Sequence, residues 1–305
     1  MNAHDDIIRG IKNSFGLFPQ QTKILKALEA TVSSRAHQEH HCVFGPPGVG
    51  KSRLLRHFLR LHPPVVLAEV THVPVLLVPI PANCSVKKLA GEMLQRMGSD
   101  YWNKGNEEDR TYQLKTLMRA CQVRTVLLDE TNHLVDRGQA ATHYFVADWI
   151  KVLADETEAS FVLAGTSKSS RLLDVNEQLR SRFRSRCDLM PFAMTSREES
   201  QEWIRVLRTF QSLLTPLDLI DLTDAKTALA LLFATGGRLR ELKQLLVRVV
   251  EIAEASPKLT LDLSVFSRAF RDAIWKAPPA RNPFERDFNG KPLIARGEPF
   301  ADGEH

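Results

Sequence analysis

The chain has 305 residues, and 43% of them are hydrophobic, a composition that excludes an intrinsically disordered protein. Lysine and arginine number 41 against 36 aspartate and glutamate, so the formal charge of +5 permits a polyanionic partner without arguing for one. At 100–200 residues per domain, the length predicts about two domains.

The sequence offers no sign of a membrane or a secretory context. The most apolar stretch, residues 73–82, is interrupted by prolines, and residues 1–6 are acidic where a signal peptide would be basic. The four cysteines (Cys42, Cys84, Cys121 and Cys187) lie far apart and indicate neither a disulfide framework nor a zinc site. We therefore expect a cytoplasmic protein.

Short apolar runs alternate with helix-patterned segments over the first two thirds of the chain. The runs are residues 41–45, 75–80, 125–129, 161–165 and 187–192, and the helical segments are residues 52–61, 87–97, 112–121 and 145–156. Continuous apolar runs are typical of strands buried on both faces of a parallel sheet. The pattern predicts a doubly wound α/β domain over residues 1–195, including a short N-terminal segment.

The pattern changes at Ser196, which resembles a helix N-cap followed by acidic residues. Apolar residues then recur at helical spacing in residues 217–222, 225–234, 239–255 and 263–275, which predicts a small all-helical domain over residues 196–276. Residues 277–305 are rich in proline and glycine and predict an extended tail. Its apolar residues, Phe284, Phe288, Leu293, Ile294 and Phe300, favour docking on a neighbouring subunit or another partner.

A phosphate-binding loop follows the first predicted strand. Residues 45–52, Gly-Pro-Pro-Gly-Val-Gly-Lys-Ser, fit the pattern G-x-x-x-x-G-K-[ST] between a strand and a helix. The backbone amides suit phosphate, Lys51 is placed for the β- and γ-phosphates, and the Ser52 hydroxyl for Mg²⁺. The expected nucleotide contacts are Pro46, Pro47, Gly48, Val49, Gly50, Lys51, Ser52 and Arg53.

Two carboxylates end the third predicted strand. In Thr125-Val126-Leu127-Leu128-Asp129-Glu130, Asp129 is expected to hold Mg²⁺ through water and Glu130 to polarise the attacking water. Solvated acids at a strand end are the alternative, which the neighbouring phosphate loop disfavours. The two motifs together predict a site for ATP and Mg²⁺.

Further residues are suited to phosphoryl transfer. Thr166, at the end of the fourth strand, is expected to face the site while Ser167 caps the following helix. Four arginines alternate in residues 180–186, and a guanidinium can stabilise transition-state charge or serve as an ordinary solvated group. Arg238 and Arg240 begin a helix of the second domain and are further candidates.

This order of motifs resembles an AAA+ ATPase over about residues 15–276. Residues 72–78, 128–134, 163–166 and 178–183 further resemble the TniB/TnsC regulators of bacterial DNA transposition. The resemblance implies ATP hydrolysis as an assembly switch, with Lys51, Glu130 and Thr166 in catalysis and Arg182 acting on the next subunit's site. It also implies that Arg240 senses nucleotide, with Arg238 as the alternative, and that Phe18 lies beside the base.

The same resemblance implies the partners. Proteins of this kind form helical filaments on double-stranded DNA and connect a DDE transposase to a target selector of the TniQ type. It places backbone-contacting lysines at Lys87 and Lys104. Isolated aromatics such as Tyr101 and Trp102, near Lys104, are more often packing residues than stacking platforms.

Two other functions compete with this one. An AAA+ initiator or helicase loader usually carries a winged-helix domain after the helical domain, and few residues follow Lys276 here. A protein-remodelling ATPase would need an aromatic pore loop after the second strand, whereas residues 81–88 lack an aromatic residue and end with two lysines. These observations favour DNA over a polypeptide substrate.

Overall fold

The computed structural model describes residues 3–33, 38–136, 140–175, 177–256, 260–276 and 281–301. The chain divides into two compact units. The α/β unit contains residues 19–47 and 51–189, and the helical unit contains residues 1–18, 48–50 and 190–305. Pro278, Pro279 and Gly303, which belong to the predicted tail, lie outside the described residues.

The strands of the described chain all belong to the α/β unit. In chain order they are β1 (His41–Phe44), β2 (Val65–Val66), β3 (Thr71–His72), β4 (Val75–Pro79), β5 (Thr125–Asp129), β6 (Ser160–Gly165) and β7 (Ser185–Asp188). Five of them form one parallel sheet in the order β4-β5-β6-β1-β7, and β2 and β3 form a separate antiparallel pair. The predicted five-stranded parallel sheet is confirmed.

The helices divide between the units. The α/β unit contains α2 (Pro19–Ser33), α3 (Lys51–Leu61), α4 (Val86–Arg96), α5 (Glu107–Ala120), α6 (His133–Asp136), α7 (Ala140–Thr157), α8 (Arg171–Val175) and α9 (Glu177–Arg182). The helical unit contains α1 (Ala3–Asn13), α10 (Arg197–Leu213), α11 (Ala225–Thr235), α12 (Leu239–Ala255) and α13 (Leu263–Ala273). No described helix is long and apolar enough to cross a bilayer.

The sheet is buried because the central strands are apolar on both faces. Every residue of β1, β5 and β6 is buried, and helices such as α4 and α7 supply Met93, Leu94 and Ile150 to the same core. The fifth strand differs from its predicted position at residues 187–192. It pairs with β1 over residues 185–188, where Arg186 is exposed beside Asp188, and a polar edge strand lacks the continuous apolar signal of a central one.

Helix α10 begins where its sequence signal predicts. Ser196 Oγ accepts a hydrogen bond from Glu199 N, and the Glu199 carboxylate accepts one from Ser196 N, which completes a capping box. The predicted helical segment at residues 217–222 is wrong. Leu219 instead pairs with Leu261 in an isolated bridge, and Leu222 N donates to Gln211 Oε1.

The N-terminal segment differs from the prediction in its placement. Ile7 and Ile11 of α1 are buried with Trp203 and Leu246 in the core of the helical unit. Residues 1–18, which were expected in the first domain, therefore belong to the helical unit. Helix α1 is amphipathic, and its apolar face is covered by the core of the helical unit.

The tail packs on its own chain. Phe284, Leu293 and Phe300 are 9%, 1% and 5% exposed and belong to the core of the helical unit. The expectation placed these side chains on a partner, but in the structure they share a core with residues of α11, α12 and α13. Ile294 is 62% exposed, so docking of this tail residue on a neighbouring subunit or another partner stays a prediction.

Candidate functional site

The phosphate loop connects β1 to α3 with the backbone that its glycines permit. Gly48 and Gly50 have φ of 85° and 109°, a region that side chains rarely allow. Lys51 Nζ donates to the carbonyl oxygens of Gly45 at 2.7 Å and Pro46 at 2.9 Å, so the ammonium group lies across the base of the loop. Since α3 begins at Lys51, its positive N-terminus faces the same loop.

The other named loop residues differ in burial. Val49 is 3% exposed, Pro46 is half-buried and Pro47 is exposed. Ser52 and Arg53 lie half-buried in the first turn of α3. Burial, followed by the nearby positive charges of Arg60 and Arg56, lowers the pKa of Arg53 from its ordinary value.

The two predicted carboxylates lie at the carboxyl end of β5 and differ in their surroundings. Asp129 is 6% exposed, and its Oδ1 accepts a hydrogen bond from Glu130 N at 2.9 Å. Glu130 has φ of 60°, an uncommon conformation for a residue with a side chain. Its Oε2 lies 3.7 Å from Nδ1 of His133, which also lies 2.8 Å from Ile80 O. The sequence did not predict His133 as a neighbour of Glu130.

Thr166 carries a buried hydroxyl that is unsatisfied within the described residues. It directly follows β6, and its Oγ1 is shielded from solvent with no hydrogen-bond partner there. The expectation that Ser167 caps the next helix is wrong: Thr166 occupies the N-cap position of a 3-10 turn at Ser167–Ser170, without a side-chain cap. Buried polar atoms usually find partners, so the orphaned hydroxyl of Thr166 is a candidate to hydrogen-bond a ligand.

These residues fit a magnesium-bound nucleotide. The loop offers successive amides and Lys51, the hydroxyl of Ser52 and the carboxylate of Asp129 are oxygen ligands of the kind Mg²⁺ prefers, and Thr166 offers an unused hydroxyl. Parallel strands β5 and β6 are neighbours, so their carboxyl ends place Asp129 and Thr166 on the same edge of the sheet.

Among the four alternating arginines, Arg182 has the most defined environment. Its Nε and Nη2 bind the two carboxylate oxygens of Asp155 on α7 at 2.8 and 2.6 Å. Arg180 lies 3.7 Å from Glu177, Arg184 donates to Ser181 O, and Arg186 pairs with Asp188. Arg182 is thus held in a bidentate pair at the end of α9, with its side chain 32% exposed.

The two arginines at the start of α12 make different contacts. The guanidinium of Arg238 lies 5.0 Å from the centre of the Phe300 ring, so it packs on the tail. Arg240 N donates to Gly48 O at 3.1 Å, and its side chain is 57% exposed and pairs with Glu241. Arg240 thus contacts Gly48 of the phosphate loop through its backbone.

Phe18 lies in the core of the helical unit. It is 7% exposed and packs edge-to-face on Phe192, with ring centroids 5.2 Å apart.

Lys87 and Lys104, predicted to contact DNA, are both exposed on the α/β unit. Lys87 is in the first turn of α4, and Lys104 is in the loop before α5. Within the described part of the chain, neither ammonium group has a carboxylate at ion-pairing distance. Tyr101 and Trp102, in the same loop as Lys104, are 66% and 36% exposed. The sequence did not single out Arg110, whose guanidinium binds the backbone of both lysine-bearing segments.

Comparison with known proteins identifies the family. The family model for bacterial TniB proteins matches residues 9–192, more than half of the chain. No curated protein sequence matches the chain at a significant level.

Solved structures share the fold at low sequence identity. Cdc6p from Pyrobaculum aerophilum is 13% identical with a TM-score of 0.64, over 87% of this chain and 70% of that one. Aeropyrum pernix ORC2, solved in ADPNP-ADP complexes, is 14% identical with a TM-score of 0.62, over 87% and 71%. Aeropyrum pernix ORC1, solved in complex with DNA, is 17% identical with a TM-score of 0.61, over 87% and 69%. The chain therefore belongs to the family of bacterial TniB proteins and has the fold of an AAA+ ATPase.

Proposed function

We propose that this protein is an ATP-dependent DNA-binding regulator of transposition that assembles on double-stranded DNA and connects a target selector to a transposase. The observation that carries the proposal is the joint presence of a phosphate loop, a buried strand ending in Asp129-Glu130 and the orphaned Thr166 hydroxyl in a TniB family member.

The nucleotide roles follow from the positions of these groups. Lys51 exchanges its two carbonyl partners for phosphate oxygens, and the loop residues Pro46–Arg53 surround the phosphates. Ser52 and Asp129 would hold Mg²⁺, which neutralises phosphate charge when it is bound. Glu130 orients the attacking water, Thr166 donates to it or to the γ-phosphate, and Arg240 senses the nucleotide.

Arg182 acts in trans on the site of a neighbouring subunit. A guanidinium held by Asp155 on one side still has donors for a phosphate. An assembly is then required for full hydrolysis, which links ATP turnover to the lifetime of the DNA-bound oligomer.

DNA binding is assigned to Lys87 and Lys104. Both lysines are exposed and contribute weak phosphate contacts that a filament multiplies over many subunits. Aeropyrum pernix ORC1, a protein of the same fold, was solved in complex with DNA, which supports a nucleic-acid partner. Target choice belongs to a TniQ-like selector, and strand transfer to a DDE transposase.

Electron microscopy and turnover measurements with plain duplex DNA test the proposal. Helical assemblies are expected with ATP or a non-hydrolysable analogue and absent with ADP, and Lys51→Ala should abolish them. Random-sequence duplexes should support assembly equally well. Failure of the wild type to assemble on duplex DNA in any nucleotide state would refute the proposal.

An initiator or helicase loader is the alternative, favoured by the fold shared with ORC and Cdc6 proteins. Such a protein would deliver a ring-shaped helicase to DNA and would not capture a transposase. Pull-down of a purified cognate transposase and of a replicative helicase by the DNA-bound protein separates the two functions.

A further inference from the structure

Arg110, near the start of α5, joins two segments that are distant in sequence. Its Nη1 donates to Lys87 O at 3.2 Å, its Nε to Lys104 O at 3.1 Å and its Nη2 to Asn103 O at 2.6 Å. The three nitrogens of the Arg110 guanidinium therefore bind the main-chain carbonyl oxygens of Lys87, of Lys104 and of Asn103, which directly precedes Lys104.

A glycine in α4 makes this arrangement possible. A Cβ atom placed on Gly91 would lie 2.8 Å from Arg110 Nη1 and 3.2 Å from Trp102 O. Gly91 is buried in a helix interior, where alanine would be intrinsically preferred. Its small size allows the loop at residues 99–106 and the Arg110 guanidinium to approach the start of α4.

Two of the nearby carboxylates already have partners. Asp109 accepts from Asn106 N as part of a capping box, and Glu92 pairs with Arg96. The guanidinium of Arg110 is directed at carbonyl oxygens, and the ammonium groups of Lys87 and Lys104 extend from the two segments that it holds. The spacing of the two lysines thus depends on Arg110.

We propose that Arg110 is a positioning residue for duplex DNA, which fixes Lys104 relative to Lys87 so that one subunit contacts two phosphates of the backbone. The proposal rests on the DNA-binding function inferred above and names a residue that acts through its neighbours. Two lysines held at a fixed spacing bind phosphates more tightly than the same two charges on independent segments. The conformational entropy of the two segments is then already lost when the protein folds and is not lost again on binding DNA.

Binding of a random-sequence duplex, measured by fluorescence anisotropy at several salt concentrations with a non-hydrolysable ATP analogue, tests this idea. Arg110→Ala should weaken binding about tenfold and make the negative slope of log affinity against log salt shallower by about 0.9, the value for one lost phosphate contact. In the Arg110→Ala background, Lys104→Ala should weaken binding less than twofold further, because the loop no longer presents Lys104. Arg110→Lys should not restore binding, since an ammonium group cannot reach three carbonyls in a plane.

Gly91→Ala provides a charge-neutral test. It removes no positive group, yet it displaces the loop, so it should weaken DNA binding in the same direction as Arg110→Ala. Arg119→Ala is the matched control. Arg119 lies on the same helix and donates to Glu156 O through Nε and Nη2, so its loss removes the same charge and the same kind of contact far from Lys104. We expect its DNA affinity to equal that of the wild type.

Distinct outcomes separate the possible errors. If Arg110→Ala and Lys104→Ala reduce affinity independently, or Gly91→Ala has no effect, Arg110 is not a positioning residue. If Arg119→Ala weakens binding as much as Arg110→Ala, the effect is general loss of charge or stability. If Lys87→Ala and Lys104→Ala, each made in the wild-type background, bind duplex as tightly as the wild type, DNA binds at another surface and the DNA-binding function stands. If the wild type does not bind duplex at all, the proposed function itself fails.

Discussion

Two adjacent tail residues differ in burial, and we expect a large difference in their contribution to stability. Leu293 is 1% exposed in the core of the helical unit, whereas Ile294 is 62% exposed. Leu293→Ala removes three carbon groups, worth about 2.4 kcal/mol of transfer free energy at about 0.8 kcal/mol each, and leaves a cavity. The sum is about 3 kcal/mol of unfolding free energy, while Ile294→Ala should cost less than about 0.5 kcal/mol.

Hydrogen exchange followed by mass spectrometry measures this difference in the helical unit alone. In Leu293→Ala, the protection factors of peptides from α12 and α13 that exchange through global opening of the unit should fall about a hundredfold. Each 1.4 kcal/mol corresponds to about a factor of ten, so about 3 kcal/mol corresponds to about two such factors. Ile294→Ala keeps the wild-type protection, and peptides from β5 are unchanged in both variants. Equal protection in the two alanine variants would refute the packing of the tail on its own chain.

Three further predictions concern the site and its surroundings. Glu130→Gln should keep nucleotide binding and lose roughly 10²-fold or more in phosphate release, because the amide cannot accept the water's proton; normal turnover would contradict the assignment. Arg182→Ala and Lys51→Ala subunits should each be inactive alone, and their mixture should recover part of the ATPase rate if Arg182 works in trans; no recovery in mixed assemblies that contain both kinds of subunit would transfer the role to another arginine. Burial, and next the charge of Arg182, lower the pKa of His40 from 6.5 to about 4, so the unfolded chain takes up a proton there at a higher pH than the folded protein. The free energy of unfolding should therefore decrease by up to about 3 kcal/mol as pH falls from 6.5 to 4. His40→Gln should reduce this dependence of the unfolding free energy on pH, measured by urea titration at each pH.

Residues close together in the chain were predicted most reliably. The phosphate loop and the Asp129-Glu130 strand end are local patterns, since a strand, a turn and a helix follow each other within a few residues. The capping box of Ser196 and Glu199 is equally local. The position of edge strand β7 was predicted wrongly because its exposed Ser185, Arg186 and Asp188 do not produce an apolar run. Residues 217–222 were wrongly predicted to be helical because apolar residues also line an irregular segment that covers a core.

The amino-acid sequence alone determined the class of fold and the chemistry of the candidate site, because burial periodicity and the phosphate-binding pattern are written in neighbouring residues. Tertiary structure decided which distant groups meet. It placed Arg182 on Asp155, Phe300 under Arg238 and the Arg110 guanidinium on the backbone of Lys87. Contacts of this kind depend on how helices and loops pack across tens or hundreds of residues. The residues next to a side chain in the sequence do not indicate which distant residue it will contact.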